Sequence, residues 1–249
     1  PMNDRAAARR SGLGWVGKNT NVISPRFGSW ILLGQVVTDL HLEPDTPLKK
    51  TCGSCVRCID DCPTGAIVAP YVIDNTRCIS YLTIELKGSI PIDLRPLVGD
   101  WVFGCDICQD VCPVNRKAES GETALSGDFK QRPGFATPDL VALLELDQKT
   151  FSRIYKNSPV KRAKRIGLQR NACVALGNNG DSSAIQPLIK ALEGSESLVR
   201  AHAAWALGKF AESGECKAVK ALQSALDKEN DDDVLQEIQL ALSPLETTR

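Results

Sequence analysis

From residue 166 onward, apolar side chains recur every third or fourth position, the period of helices that bury one face. Five such segments follow one another, 168–177, 182–193, 197–209, 216–228 and 232–242, separated by short turns of Gly, Asn, Asp and Ser. Asn171-Ala-Cys-Val-Ala-Leu-Gly177 and Ala201-His-Ala-Ala-Trp-Ala-Leu-Gly208 nearly superimpose, at a repeat of roughly 30 residues that suits a helical-hairpin solenoid. Small residues at the matching positions let helices cross closely. A generic helical bundle is the plainer reading, and the repetition favours stacked hairpins over it.

Upstream the rhythm changes. Asp4–Ser11 reads as a short helix with a carboxylate at its N-terminal end, where the dipole favours it. Gly12 to Asn19 (GLGWVGKN) is a glycine-rich turn, and two strand-like runs follow, Thr20–Ile23 and Ser29–Leu40, joined by a turn over 24–28. Residues 42–50, with Pro44 and Pro47, form a linker. The stretch 51–117 has no sustained period, with short helices expected at Cys78–Leu86 and Pro91–Val98. Residues 118–135 are polar and loop-like, and Thr137–Leu146 resumes a helical pattern behind the cap-like Thr137-Pro138-Asp139.

The 249 residues suffice for two ordinary domains. Thirty basic residues balance thirty acidic ones, so any nucleic-acid surface must be a local patch (Lys+Arg 30, Asp+Glu 30). Such a patch lies at 153–170, where Arg153, Lys156, Lys161, Arg162, Lys164, Arg165 and Arg170 occur without an acid. Leading into a repeat with a concave face, Lys161, Arg162, Lys164, Arg165 and Arg170 are candidates for phosphate binding; the bland reading is a solvated linker. No apolar stretch reaches the ~18 residues of a membrane span, and no secretory leader pattern opens the chain. Gly17-Lys18-Asn19 falls short of a phosphate loop, because Asn19 stands where Ser or Thr is required. His202, in an alanine-rich helix, is expected to be packed.

The cysteines carry the chemistry. Cys52-x2-Cys55-x2-Cys58-x3-Cys62-Pro63 is the bacterial ferredoxin run, and Cys78 followed by Cys105-x2-Cys108-x3-Cys112-Pro113 repeats its tail. In such pairs the fourth cysteine crosses to the other cluster. Cys52, Cys55, Cys58 and Cys112 are therefore expected to hold one 4Fe–4S cluster, and Cys62, Cys78, Cys105 and Cys108 the other. Zinc also takes C-x2-C pairs but seldom this doubled run. A disulfide scaffold suits short secreted chains, whereas thiolate ligation of iron implies a reducing, cytoplasmic setting. Cys173 and Cys216 fall on apolar helical faces, outside both runs.

Taken in order, GLGWVGKN, SPRFGSW, CGSCVRCIDDCPTGAI, RCISYLTIE, FGCDICQDVCPVN and the helical repeat resemble the epoxyqueuosine reductases. These are cobalamin-dependent iron–sulfur enzymes of the last step of queuosine formation in tRNA. The resemblance implies an α+β chain. Residues 1–50 would be the C-terminal part of an α/β cobalamin-binding domain, and 51–117 a ferredoxin-like two-cluster module. A linker and basic segment would span 118–165, and HEAT-like repeats 166–249. It implies two 4Fe–4S clusters feeding cobalamin, with Gly14, Gly17, Lys18 and Asn19 lining the corrin and Ser80, Tyr81 and Thr83 facing corrin or nucleoside. The implied partners are a tRNA anticodon stem-loop with a queuosine-type wobble nucleoside and an external donor such as flavodoxin or ferredoxin, for a monomer without a membrane. The family's proton donor is an aspartate upstream of the segment that Pro1–Arg5 matches; Asp4 matches another position, so no catalytic acid is assigned. Pro1–Arg5 reads as mid-domain sequence, which suggests a preceding segment, while Met2 also suits a start. Two other readings fit the cysteines: a corrinoid reductive dehalogenase-like enzyme, which has no need of a basic repeat tail, and a non-enzymatic ferredoxin-type carrier.

Overall fold

The computed structural model describes residues 3–119, 135 and 137–246. The chain divides into two compact units, one of 1–78 with 105–130 and one of 79–104 with 131–249. Pro1, Met2 and most of the polar stretch expected at 118–135 lie outside the described residues.

The first unit has little regular structure. Its opening helix, Asp4–Arg10, is capped by Asn3, whose side chain accepts from the Ala6 N–H at 3.1 Å. A two-stranded hairpin follows, β1 (Trp15–Val16) antiparallel to β2 (Val22–Ile23), with Trp15 opposite Ile23. Two residues of the expected glycine-rich turn, Trp15 and Val16, are thus strand. The glycines permit this because a Cβ on Gly14 would lie 2.5 Å from the Ile23 carbonyl oxygen. The one-turn helices Arg57–Asp60 and Ile107–Asp110 contain Cys58 and Cys108, and the longer Pro113–Glu119 follows Cys112.

The strand expected over Ser29–Leu40 does not form; the segment is irregular. A strand exists only where another supplies its ladder, whatever its β propensity. Among the described residues none pairs with this run, and Leu32, Val36, Val37 and Leu40 are exposed.

The second unit is helical. Leu140–Leu144 is capped by Asp139, whose carboxylate accepts from Val141 and Ala142 N–H, and Gln148–Ile154 is capped by Asp147. Five helices then stack: Lys164–Asn179, Ile185–Leu192, Ser197–Glu212, Cys216–Leu226 and Asp232–Glu246. Gly177 and Gly208 explain why the two repeat motifs match. A Cβ on Gly177 would meet the Trp205 ring at 2.9 Å and Ala206 Cα at 3.0 Å; one on Gly208 would meet Ala241 Cβ at 2.8 Å. Each glycine lets its helix lie directly on the equivalent helix of the next hairpin.

Residues 79–104 pack with these repeats. Buried polar side chains hold them there. Arg95 makes a two-pronged pair with Glu237, at 2.9 and 2.6 Å, and its Nε donates to the Ile90 carbonyl. His202, fully buried, accepts the Ile90 N–H on Nε2 at 3.1 Å, while its Nδ1 lies 2.8 Å from the Leu198 carbonyl. Since that carbonyl can only accept, Nδ1 carries the proton. Burial and the nearby Arg95 hold His202 well below its ordinary pKa, so it is neutral. Packing, as its alanine-rich surroundings implied, is its role.

Candidate functional site

All eight motif cysteines are free thiols of intermediate burial in the first unit. Short turns set their spacing: Cys55 N–H bonds to the Cys52 carbonyl at 3.2 Å, and Cys112 N–H to the Gln109 carbonyl at 3.0 Å. Their mutual electrostatics separate them into two groups. The Cys58 thiol is pushed up first by burial, then by Cys52, Cys55 and Cys112. Cys105 is pushed up to about 11 by burial, and Cys78 and Cys62 are the cysteines that add to it. Cys108 rises to about 12, again mainly by burial, with contributions from Cys105, Cys58, Cys78 and Cys62. Cys58 acts on both sets, so the two groups adjoin.

Among the described residues no three Cys, His, Asp or Glu side chains converge on a point that one metal ion would fill. Ligands of a cubane each hold a different iron, so they stand further apart than ligands of one ion. Half-buried thiols grouped in this way, with a cation and amides directed at their loops, fit iron–sulfur clusters.

Those cations and amides come from residues expected elsewhere. Lys18 is buried and its Nζ donates to the Gly53 carbonyl at 2.8 Å, setting a positive charge against the loop between Cys52 and Cys55. Asn19, also buried, donates from Nδ2 to the Cys108 carbonyl at 3.1 Å. Asn21, which the sequence did not mark, directs its Nδ2 to Cys108 Sγ at 4.0 Å. Gly17 is bare because a Cβ would press on Ile23 Cδ1 at 2.6 Å. Gly14 and Gly17 thus serve hairpin packing, and Lys18 and Asn19 brace cysteine loops.

A second brace was also missed. Asn115 accepts the Ser29 N–H at 2.7 Å and donates to Ser29 Oγ and the Gln109 carbonyl, both at 2.8 Å. Gly28 cannot carry a side chain, because its Cβ would collide with Asn115 Oδ1. The sequence signal was an asparagine two residues past Pro113, with no rule naming its partner.

Ser80, Tyr81 and Thr83 belong to the second unit, in and before a π-helical turn Tyr81–Glu85. Ser80 and Tyr81 are half-buried. Thr83 is fully buried and its hydroxyl is already bonded on both sides, to the Ile79 carbonyl and the Gly104 N–H, so it does not face a ligand.

The basic residues separate as well. Arg170 is 0% exposed and leaves the proposed phosphate-binding set. Its guanidinium donates to the carbonyls of Leu82, Leu86 and Gly88 and to Asn171 Oδ1, which occupies all five N–H groups. Burial, then Arg95, lowers it to about 10. Arg165 bonds Glu196 at 2.5 Å and Gln169, and exposed Arg162 pairs with Glu85. Lys161 and Lys164, with Arg153 and Lys156, are exposed and make no ion pair among the described residues.

Residues 51–115 match the family of the 4Fe-4S double cluster binding domain, and residues 161–243 match HEAT repeats. The chain is 40% identical over 209 residues to the epoxyqueuosine reductase of Salmonella typhimurium, covering 84% of this chain and 54% of that protein. It is 36% identical over 245 residues to that of Bacillus anthracis, covering 98% and 63%. The crystal structure of an epoxyqueuosine reductase with an epoxyqueuosine-modified tRNA-Tyr stem loop superimposes with a TM-score of 0.90 at 35% identity, over 98% of this chain and 64% of that one. That of the Streptococcus thermophilus enzyme gives 0.86 at 32%, over 98% and 63%. The chain spans about half the length of the first of these relatives and under two thirds of the others.

Proposed function

We propose that this chain, a relative of the epoxyqueuosine reductases along almost its whole length, carries the electron-transfer and tRNA-gripping parts of an enzyme that reduces epoxyqueuosine to queuosine at the tRNA wobble position. The observation that carries this is the coincidence of two adjoining thiol groups with that relationship. The ligand sets are Cys52, Cys55, Cys58 and Cys112 for one cluster and Cys62, Cys78, Cys105 and Cys108 for the other. Bound there, 4Fe–4S clusters supply one-electron steps. The reaction balances as epoxide plus two electrons and two protons giving alkene and water.

The chain's own residues do three things. The raised thiol pKa values of Cys105 and Cys108 mean that these groups give up protons when iron binds. Lys18, Asn19 and Asn21 hold the cysteine loops and direct positive charge or N–H groups toward them. Lys161 and Lys164, together with Arg153 and Lys156, offer unneutralised charge to the phosphates of an anticodon stem-loop.

Cobalamin is the electron acceptor that the family resemblance implies. Thr83 does not fit it as a direct contact, because its hydroxyl is bonded on both sides, whereas Lys18 and Asn19 each carry N–H groups beyond the one given to Gly53 or Cys108. The segment boundaries 1–50, 51–117, 118–165 and 166–249, a monomeric cytoplasmic protein and a flavodoxin- or ferredoxin-type donor complete the proposal. The described helices include none long and apolar enough to cross a membrane.

The test is conversion of an epoxyqueuosine-bearing stem-loop by the reduced, cluster-loaded enzyme, read as product lighter by one oxygen. Cys58→Ser or Cys108→Ser in that enzyme should abolish conversion. Conversion at the unaltered rate by both variants would reject the electron path.

A further inference from the structure

The chain leaves the first unit after Cys78 and returns to it at Cys105, so Ile79 and Gly104 are the residues through which those two cysteines are attached. One buried side chain joins them. Thr83 Oγ1 donates to the Ile79 carbonyl at 2.7 Å and accepts the Gly104 N–H at 3.0 Å. A second side chain repeats the staple one step inward: Asn171 Nδ2 donates to the carbonyls of Thr83 and Val102, both at 2.8 Å. Arg170, beside it, holds Leu82, Leu86 and Gly88 by their carbonyls. The π-helical turn Tyr81–Glu85 brings this about. Its widened backbone leaves carbonyls without helical partners, which the Arg170 and Asn171 side chains satisfy.

We infer that Thr83 is a positioning residue for the cluster of Cys62, Cys78, Cys105 and Cys108, an inference that rests on the ligand sets proposed above. It fixes the separation of the two chain segments that deliver Cys78 and Cys105, and the first repeat helix locks it in place through Asn171. Thr83 bonds neither chain neighbour of Cys52, Cys55 or Cys58, whose loop is held by its own turns and by Lys18 on the Gly53 carbonyl. The effect is therefore specific to one cluster.

Thr83→Val keeps the shape and removes the hydroxyl, leaving the half-buried Gly104 N–H without its partner. The anaerobically reconstituted protein is challenged with an iron chelator and titrated potentiometrically with EPR detection. In Thr83→Val, about four of about eight irons should leave roughly tenfold faster than in the parent. The midpoint potential and EPR line shape of one cluster should shift, with the other unchanged. Thr83→Ser, which restores the hydroxyl, should return both readouts to the parent values. Asn171→Ala, which leaves the hydroxyl in place, should move the same cluster by less. Parent-like release and potentials in Thr83→Val, or equal change in both clusters, would overturn the inference. A parent protein with fewer than two clusters would instead refute the ligand sets, and the inference with them.

Discussion

The two units are stabilised by different means. In the repeat unit the core is apolar and continuous: Leu168, Ala172, Val174, Leu188, Ala203, Leu207, Leu222 and Ile238 are all essentially inaccessible to solvent. In the cysteine-bearing unit the buried apolar side chains among the described residues are Ala8, Trp15, Val22, Ile23, Ala66 and Ile67, and the rest of its order lies in turns and polar braces. So small an apolar core offsets little of the chain entropy, and clusters bound at the proposed ligand sets would add to the unit's folding free energy. The repeat unit needs none. The proposed electron path therefore sits in the unit with the small apolar core, and the proposed RNA-binding surface in the unit with the large one.

The largest expected effect breaks the comparison outright. Stripping iron should release amide protection across 51–62 and 105–112, while the helical signal of the repeats persists. Hydrogen exchange with circular dichroism checks this, and a single transition that melts both units together would refute it. Next in size is the buried pair of the repeat unit. Arg95→Met should cost about 3–5 kcal/mol, since it strands the Glu237 carboxylate, and removing both charges together should cost far less. Denaturant titration of the two variants separates the cases.

A smaller effect is expected where helices cross. Gly177→Val should cost about 1–3 kcal/mol by overpacking against Trp205 and Ala206. Stability should also depend on pH through His202, whose folded pKa lies below the unfolded value. The folded state then binds fewer protons, so its stability is full above about pH 6.5 and declines as the pH falls below that. Denaturation midpoints on either side of that value should differ less in His202→Gln. The mildest effect concerns RNA. Lys161→Ala with Lys164→Ala should weaken stem-loop binding and lower the salt slope by about 2, roughly one per lost phosphate contact. Arg162→Ala, already paired with Glu85, should change it less. Equal effects would place the contact elsewhere.

Much of this was legible in the sequence, for reasons that differ by region. The helices and their repeat were legible because a 3.6-residue period survives in one dimension, and the Asp139 cap and packed His202 followed from local rules. The cysteine runs were legible because ligand spacing is itself a sequence pattern. The segment Ser29–Leu40 misled because β propensity says nothing about whether a partner strand exists. Arg170 misled because charge in a basic run says nothing about burial. Lys18 and Asn19 pointed to the site's neighbourhood but not to their partners, since Gly53 and Cys108 lie far along the chain. Asn21 carried no motif, and the motifs that contain Asn115 and Thr83 did not name the partners these side chains take.

The central claim is that two clusters share their ligands by crossing between the cysteine runs. It is tested most directly by counting iron and acid-labile sulfide in anaerobically reconstituted protein, with and without Cys112→Ala. The account predicts about eight irons in the parent, and about four in the variant, with the single remaining cluster held by Cys62, Cys78, Cys105 and Cys108. About four irons in the parent, or loss of the other cluster in the variant, would contradict it.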